Sequence, residues 1–142
     1  MSRIIAALAL CGLLSGINAA RADEPQTRFD GEWTTVVTCS ASAGALPYSY
    51  EFPSIIANGG LHGSKGTKGV PGWLQLDGRV LPDGSATISA RGLVGEERAA
   101  VGERPPGTPY SYRIEASFSE KSGTGHRLKG RTCAVSFSRK GP

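Results

Sequence analysis

Residues 110–119 read YSYRIEASFS, and this stretch decides the class of the fold. Apolar or aromatic residues occupy every second position. The residues on this side are Tyr110, Tyr112, Ile114, Ala116 and Phe118, with Arg113 and Glu115 on the other side. Because successive side chains of a β-strand point to opposite faces, the alternation predicts a strand with one buried and one solvated face.

The same period of two recurs along the chain. The alternating sets are Trp33, Thr35, Val37 and Cys39; Tyr48, Tyr50 and Phe52, interrupted at Pro53; and Cys133, Val135 and Phe137. Asn58-Gly59 and Asp83-Gly84 are typical of tight turns between antiparallel strands. The sequence therefore predicts an all-β domain, an antiparallel meander of seven to eight strands that forms a barrel or a sandwich.

Some stretches rich in glycine or proline break the alternation. Residues 59–72 carry six glycines, residues 96–109 carry charges and three prolines, and residues 122–125 read SGTG. Since glycine and proline favour turns, we expect two long loops and a turn in these places, with a short helical turn over residues 96–101. Gly130 predicts a bulge ahead of Cys133.

Residues 1–22 have the pattern of an export signal. Arg3 precedes an apolar run over residues 4–17, and Ala20-Arg21-Ala22 fits a cleavage site. The run is shorter than the roughly 20 apolar residues that span a bilayer. We expect cleavage to leave residues 23–142 as one periplasmic or secreted domain without a transmembrane span. An uncleaved anchor and a lipid anchor at Cys11 are the alternatives.

Two cysteines, Cys39 and Cys133, remain after the signal. An even number of cysteines in an exported domain predicts a disulfide. A redox pair would usually have the spacing C-x-x-C, and a metal site would need more than two distant thiols. We therefore expect a structural disulfide between Cys39 and Cys133.

Charge and compartment limit the partners. Removing Arg3 and Arg21 from the sixteen basic residues leaves fourteen, against twelve acidic residues. The basic and aromatic residues would allow nucleic-acid binding, but the export signal argues against it. We expect a monomer whose partner is a protein or a small ligand of the periplasm.

Asp30-Gly31-Glu32-Trp33, at the start of the first predicted strand, resembles the G-x-W opening of the calycins, the barrel family that includes the lipocalins. The resemblance implies an up-and-down barrel with Trp33 closing one end. It also implies that a basic side chain at the end of the last strand, here Arg139, packs over Trp33. A guanidinium over an indole gains cation–π energy, which makes that contact favourable.

The pattern over the whole domain is similar to small exported bacterial proteins of unassigned function. It consists of Phe29-Asp30-Gly31-x-Trp33, Gly72-Trp73-Leu74, Asp83-Gly84, Pro109-Tyr110-x-Tyr112 and Arg131-x-Cys133. The similarity implies export and a β-fold, and it implies no activity. Periplasmic protease inhibitors are also small disulfide-bonded barrels with an early Trp and Cys, but their second Cys lies close to the first, unlike Cys133.

No motif for catalysis or metal binding is present in the sequence. His62 and His126 are the only histidines, and neither has a metal-binding spacing. No G-x-S-x-G elbow occurs, although His62, Ser64 and a distant carboxylate could converge in space. Residues 63–69 fail the spacing of a phosphate loop. We expect no enzyme activity, no metal and no cofactor, and a hydrolase is the least favoured hypothesis.

Aromatic residues near predicted strand starts give the best indication of binding. They either pack in the core or gather at one barrel mouth as a recognition surface. The candidate binding surface consists of Tyr48, Tyr50, His62, Lys65, Lys68, Trp73, Tyr110 and Tyr112. The sequence favours a non-enzymatic binding or interaction domain of the bacterial envelope. The alternatives are an inhibitor of a secreted protease, and a structural or envelope-stress protein without a small-molecule site.

Overall fold

A computed structural model describes residues 27–141 of the 142-residue chain. The predicted signal over residues 1–22, with Cys11, lies outside the described residues. The elements in chain order are β1 (Gly31–Cys39), β2 (Tyr48–Ala57), β3 (Gly60–Lys65), β4 (Leu74–Val80), β5 (Ser85–Leu93), a 3₁₀ turn (Glu97–Ala99), β6 (Pro109–Phe118), β7 (Ser122–Arg127) and β8 (Cys133–Arg139). The all-β class is confirmed, and the short helical turn lies within the range expected for it.

The eight strands form a closed antiparallel barrel. Each strand pairs with its neighbours in sequence, and β8 pairs with β1 to close the sheet. The closure runs from Trp33 opposite Arg139 to Cys39 opposite Cys133. The structure therefore selects the barrel over the sandwich.

The disulfide between Cys39 and Cys133 is present, and it joins residues that face each other on β1 and β8. The two residues are 94 positions apart in sequence, and their Cα atoms are 4.1 Å apart. The covalent bond therefore fixes the strand pair that closes the barrel, as the sequence predicted.

The barrel interior is filled with side chains from the inward faces of the strands, except β7, whose inward positions include Gly123 and Gly125. Leu76, Ile88 and Ile114 are completely buried, and Thr35 hydrogen bonds to Ser54 at 2.7 Å between their hydroxyl oxygens. A small barrel has room inside only for side chains of matched size. The middle of the barrel is therefore a packed core.

One end of the barrel is closed by aromatic rings and a chain segment. The Phe118 ring lies 5.3 Å from that of Trp33 and 4.7 Å from that of Phe137, between centroids. Trp33 Nε1 donates a hydrogen bond to the Phe29 carbonyl at 2.9 Å. The Arg139 guanidinium lies 5.7 Å from the Trp33 ring centroid. The end that holds Trp33 is therefore sealed.

Asp30 explains part of the Asp30-Gly31-Glu32-Trp33 motif. Its carboxylate accepts hydrogen bonds from the backbone N–H groups of Asn58, at 2.8 Å, and Gly59, at 3.2 Å. These two residues have positive φ angles and form the predicted two-residue turn between β2 and β3. Asp30 therefore ties the start of β1 to that turn.

The prediction of a loop over residues 59–72 is wrong for residues 60–65, because Gly60–Lys65 is strand β3. Gly63 points into the barrel, where a Cβ atom would lie 2.1 Å from Ser54 Oγ. The glycine is needed for close contact between strands, and its conformation is ordinary strand. Only residues 66–73 form a loop.

The turn predicted over residues 122–125 is also wrong, because Ser122–Arg127 is strand β7. A Cβ atom on Gly123 would lie 2.9 Å from the Phe118 ring, and one on Gly125 would lie 2.7 Å from the Glu115 carbonyl oxygen. Glycine here makes room for neighbouring groups. Gly130 lies in the connection between β7 and β8, so it is not a bulge within a strand.

Pro53 does not interrupt its strand, contrary to expectation. β2 pairs with β1 across Pro53, opposite Thr34, whereas pairing with β3 begins only at Ser54. Proline is tolerated in a strand where its missing N–H has no partner on one side. Pro53 therefore lies just before the three-strand region begins.

Candidate ligand site at the open end of the barrel

Four connections surround the end of the barrel opposite Trp33. They are residues 40–47, 66–73, 94–108 and 128–132, and we call this end the mouth. Each connection carries one exposed large apolar side chain: Leu46, Val70, Val101 and Leu128 respectively. The rim of the mouth therefore offers apolar surface to a ligand.

All four tyrosines of the chain lie at the mouth, because they are among the first four residues of β2 and β6, and both strands begin at that end. The rings of Tyr48 and Tyr50 are 4.8 Å apart. Those of Tyr110 and Tyr112 stack with 6.2 Å between centroids and 6° between planes. Phenylalanine and tryptophan seal the other end, so the two ends differ in chemistry.

The mouth contains a cavity of about 360 Å³. Its lining consists of Ser42, Tyr48, Tyr50, Val94, Gly95, Glu96, Ala99, Ala100, Val101, Arg104, Tyr110, Arg127, Gly130 and Arg131. Apolar and aromatic walls with a few polar groups are typical of small-molecule sites. The packed core lies below this cavity, so a ligand would be held at the mouth.

Arg131 organises the walls of the cavity from a buried position. Its Nε donates to the Ser40 carbonyl at 2.7 Å, and its two terminal nitrogens donate to the carbonyls of Ala99, at 2.6 Å, and Leu46. The guanidinium also lies 4.8 Å from the centroid of the Tyr48 ring. Residue 131 is only 7% exposed. Arg131 therefore joins two of the mouth loops, and each of its three guanidinium nitrogens donates a hydrogen bond to the backbone.

Arg127 and Arg104 are less engaged than Arg131. The Arg127 guanidinium lies 4.4 Å from the Tyr112 ring centroid, and its Nε donates to the Lys129 carbonyl at 2.7 Å. Within residues 27–141, its terminal nitrogens have no hydrogen-bond partner, and Arg104 has neither a hydrogen bond nor an ion pair. Glu96 is the single acidic residue in the lining. The cavity is therefore electropositive.

The tyrosine hydroxyls are donors without protein partners. None of the four hydrogen bonds to another residue in the described part of the chain. Burial raises the pKa of every one of these phenols, and at Tyr48 the positive charge of Arg131 partly opposes that effect. At neutral pH the phenols stay protonated, so the hydroxyls of Tyr48, Tyr50 and Tyr110, which line the cavity, can donate hydrogen bonds to a ligand.

Glycines shape the space around these groups. At Gly92 a Cβ atom would lie 2.5 Å from the tip of the Tyr110 ring. At Gly130, which has φ near +79°, a Cβ atom would lie 3.2 Å from a terminal nitrogen of Arg127. The absence of a side chain at these two glycines therefore leaves room for Tyr110 and Arg127 to lie close to the backbone.

The structure brings only part of the predicted surface together. Tyr48, Tyr50 and Tyr110 line the cavity, and Tyr112 stacks behind Tyr110. Lys65 lies just outside the lining: its Nζ is 4.1 Å from the Tyr50 ring centroid and donates to the Gly72 carbonyl at 3.1 Å.

The remaining predicted residues lie away from the cavity. Lys68 and Trp73 belong to the loop over residues 66–73 but do not line the cavity. His62 lies on the outer face of β3, where its Nδ1 is 2.7 Å from Asp77 Oδ1. His62 therefore belongs to the outer wall of the barrel, whereas Lys68 and Trp73 belong to a loop of the mouth but lie outside the cavity lining.

The exposed pair of His62 and Asp77 lies outside the cavity, on the outer face of the barrel. Partial burial raises the pKa of Asp77, but hydrogen bonds from Gln75 and His62 outweigh it and hold that pKa below its ordinary value. Ser64 makes no hydrogen bond to His62 in the described part of the chain. None of these three residues lines the cavity at the mouth.

Three arginines that line the cavity, Arg104, Arg127 and Arg131, were not part of the binding surface predicted from the sequence. Arg127 continues the inward parity of β7, but residues 122–125 looked like a turn, so that parity was hidden. Arg131 precedes Cys133 by two positions, and the bridge to Cys39 places it at the mouth. That proximity is the sequence signal that could have identified it.

Two further features are defined for residues 27–141. No group of three or more His, Cys, Asp or Glu side chains there has an arrangement that could hold a metal ion. No helix in this range has the length and apolar character needed to cross a membrane.

No protein-family model, curated protein or solved structure matches the chain. Support for a function comes from the geometry of the mouth.

Proposed function

We propose that this protein is an exported, non-enzymatic binding domain that holds a small organic ligand in its mouth. The observation that carries the proposal is the 360 Å³ cavity, which is walled by Tyr48, Tyr50 and Tyr110. Cavities of roughly 300–1,000 Å³ with aromatic walls and a few polar groups are typical ligand sites. The unpartnered phenol hydroxyls supply hydrogen-bond donors for such a ligand.

The rigidity of the mouth supports binding without a large rearrangement. Arg131 joins the loop over residues 40–47 to the 3₁₀ turn, and the Leu46 N–H bonds to the Arg98 carbonyl at 2.8 Å. The Cys39–Cys133 disulfide lies directly below these contacts. A preformed site avoids much of the entropic cost of ordering loops when a ligand binds.

The composition of the lining supports binding over catalysis. Its residues carry hydroxyl, guanidinium and apolar groups and the carboxylate of Glu96, with neither histidine nor cysteine. In the described part of the chain, the Ser42 hydroxyl makes no hydrogen bond to Glu96. Nucleophilic catalysis usually needs a nucleophile activated by an adjacent base. The disulfide supports an oxidising compartment such as the periplasm.

The experiment uses the neutral fluorescent probe N-phenyl-1-naphthylamine with the oxidised protein. We expect its emission to rise on binding, and we expect Ala100→Trp, which places a large ring in the cavity wall, to weaken binding at least about tenfold. Ala134→Trp, on the exposed face of β8, is the matched control and is expected to bind normally. Equal binding by both variants would overturn the proposal, as would a failure of the protein to bind both this probe and its anionic naphthyl counterpart, 2-naphthoate.

A further inference from the structure

The charges at the mouth are unbalanced in a way that the fold does not explain. Arg104, Arg127 and Arg131 line the cavity, against the single acid Glu96. Within residues 27–141, the ion pairs join Arg28 to Glu120 and join Asp77 to His62 and Arg91. None of the three arginines that line the cavity forms an ion pair with a carboxylate in this range, so two or more positive charges face one acidic residue.

The three arginines have different roles. All three nitrogens of the Arg131 guanidinium donate to backbone carbonyls, so that residue serves the fold. Arg127 uses only Nε, which leaves two terminal nitrogens for a ligand, and Arg104 has all of its donors unused within the described chain. A guanidinium with two open N–H groups fits a carboxylate through paired hydrogen bonds.

The aromatic groups lie next to these donors. Arg127 packs on Tyr112, which is stacked parallel to Tyr110, and Tyr110 lines the cavity. Because Arg127 and Tyr110 both line the cavity, a flat ring placed against Tyr110 would share the cavity with that guanidinium. Aromatic rings favour offset or edge contacts with other rings, and the neutral phenol hydroxyls add donors for an anion.

From this geometry we infer that the ligand is a small aromatic monocarboxylate, with its ring among the mouth tyrosines and its carboxylate on Arg127 and Arg104. This inference rests on the proposed function, because it names the ligand class of the same cavity. Glu96 lies in the same lining and disfavours a second negative charge. The packed core, with Leu76 and Ile88 fully buried, limits the ligand to a compact molecule rather than a long chain.

The experiment compares probes with one ring system and different charges by titration calorimetry on the oxidised protein. The probes are 2-naphthoate, 2-naphthol and 2-naphthylmethylammonium, with octanoate and inorganic phosphate as anions that lack the ring. We expect 2-naphthoate to bind at least about tenfold more tightly than 2-naphthol, with the cation weakest, because only the carboxylate satisfies the guanidinium groups. We expect both non-aromatic anions to bind more weakly than 2-naphthoate.

Single-residue variants test whether the preference for 2-naphthoate over 2-naphthol arises at the mouth. Arg127→Met is expected to abolish the preference for naphthoate over naphthol, and Arg127→Lys to retain part of it, because lysine keeps the charge but not the paired donors. Arg113→Met removes the same charge from the exposed outer face of β6 and is expected to leave the preference unchanged. The Arg127→Lys variant keeps the test decisive if Arg127→Met does not fold.

The outcomes separate the two proposals. Equal binding of naphthoate and naphthol would overturn the carboxylate inference, while binding of N-phenyl-1-naphthylamine would still support a ligand site. Octanoate or phosphate binding as tightly as naphthoate would overturn the aromatic part. If neither naphthoate nor N-phenyl-1-naphthylamine binds, the proposed function itself fails.

Discussion

Arg131 lies two residues before strand β8 and Arg139 is the last residue of that strand, and each guanidinium donates to three backbone carbonyls at its own end of the barrel. Arg131 bonds to the carbonyls of Ser40, Leu46 and Ala99, and Arg139 bonds to those of Arg28, Asp30 and Glu120. Each also packs on an aromatic ring, Tyr48 and Trp33 respectively. The two ends are therefore held by the same chemistry, but only the Arg131 end encloses a cavity.

We expect Arg131→Met and Arg139→Met each to lower the free energy of unfolding by about 3 kcal/mol, because each leaves carbonyls without their charged donor. Urea unfolding followed by circular dichroism measures this change. Arg131→Met should also weaken N-phenyl-1-naphthylamine binding, because it releases the loop over residues 40–47, whereas Arg139→Met should not.

Arg113→Met is the control for loss of charge alone. Arg113 lies on the exposed face of β6, and we expect its replacement to change the free energy of unfolding by less than about 0.5 kcal/mol. If Arg131→Met is as stable as Arg113→Met, the buried guanidinium does not hold the mouth loops together.

Removing the disulfide should destabilise the barrel without changing its topology. The bridge spans 94 positions, for which loop-closure entropy in the unfolded chain corresponds to about 4 kcal/mol. We expect the double variant Cys39→Ser/Cys133→Ser to have a lower Tm and a lower urea midpoint than the oxidised protein. A thiol-blocking assay on the unfolded wild-type protein establishes that the bridge was formed. Equal midpoints for the two proteins would contradict a stabilising bridge.

The sequence predicted those parts of the fold that have a local signature. The alternation of Trp33, Val37 and Cys39 gave β1 its inward face, and Asn58-Gly59 located a hairpin, because these signals depend only on nearby residues. Strands β3 and β7 were missed because Gly63, Gly123 and Gly125 look like turn residues. Their role depends on Ser54, Phe118 and Glu115 across the sheet, which sequence spacing does not reveal.

The sequence predicted the tyrosines of the candidate site but not Arg131, for the same reason. Tyr48 and Tyr110 begin strands that start at the same end of an antiparallel meander, so their convergence follows from topology. Arg131 acts on Ser40, which is 91 positions away in sequence, and on Ala99, which is 32 away. Such contacts depend on how the barrel closes, and no local pattern encodes them.

Gly63→Ala tests whether the glycine in β3 serves packing. Gly63 does not have a positive φ, so the added methyl group acts through its clash with Ser54 Oγ at 2.1 Å and not through backbone strain. We expect a loss of about 2 kcal/mol in the free energy of unfolding, as for an overfilled core. Ser64→Ala, at the adjacent exposed position, should change it by less than about 0.5 kcal/mol. Equal stability of the two variants would show that β2 and β3 can move apart at no cost.

The tyrosines of the mouth should make stability depend on pH in the alkaline range. Burial raises the pKa of Tyr48, Tyr50, Tyr110 and Tyr112 above the ordinary 10.0, so the folded state disfavours the phenolate. This contribution is fully present below pH 10.0 and is lost as the pH rises toward the folded-state pKa values, because the unfolded chain ionises first. Urea unfolding at about pH 8 and about pH 11 should show a decrease in the free energy of unfolding that is smaller in Tyr110→Phe.

Because every tyrosine lies at the mouth, phenolate absorbance reports on this site alone. Phenolate formation in the folded protein at the same pH as in urea would contradict burial of these hydroxyls.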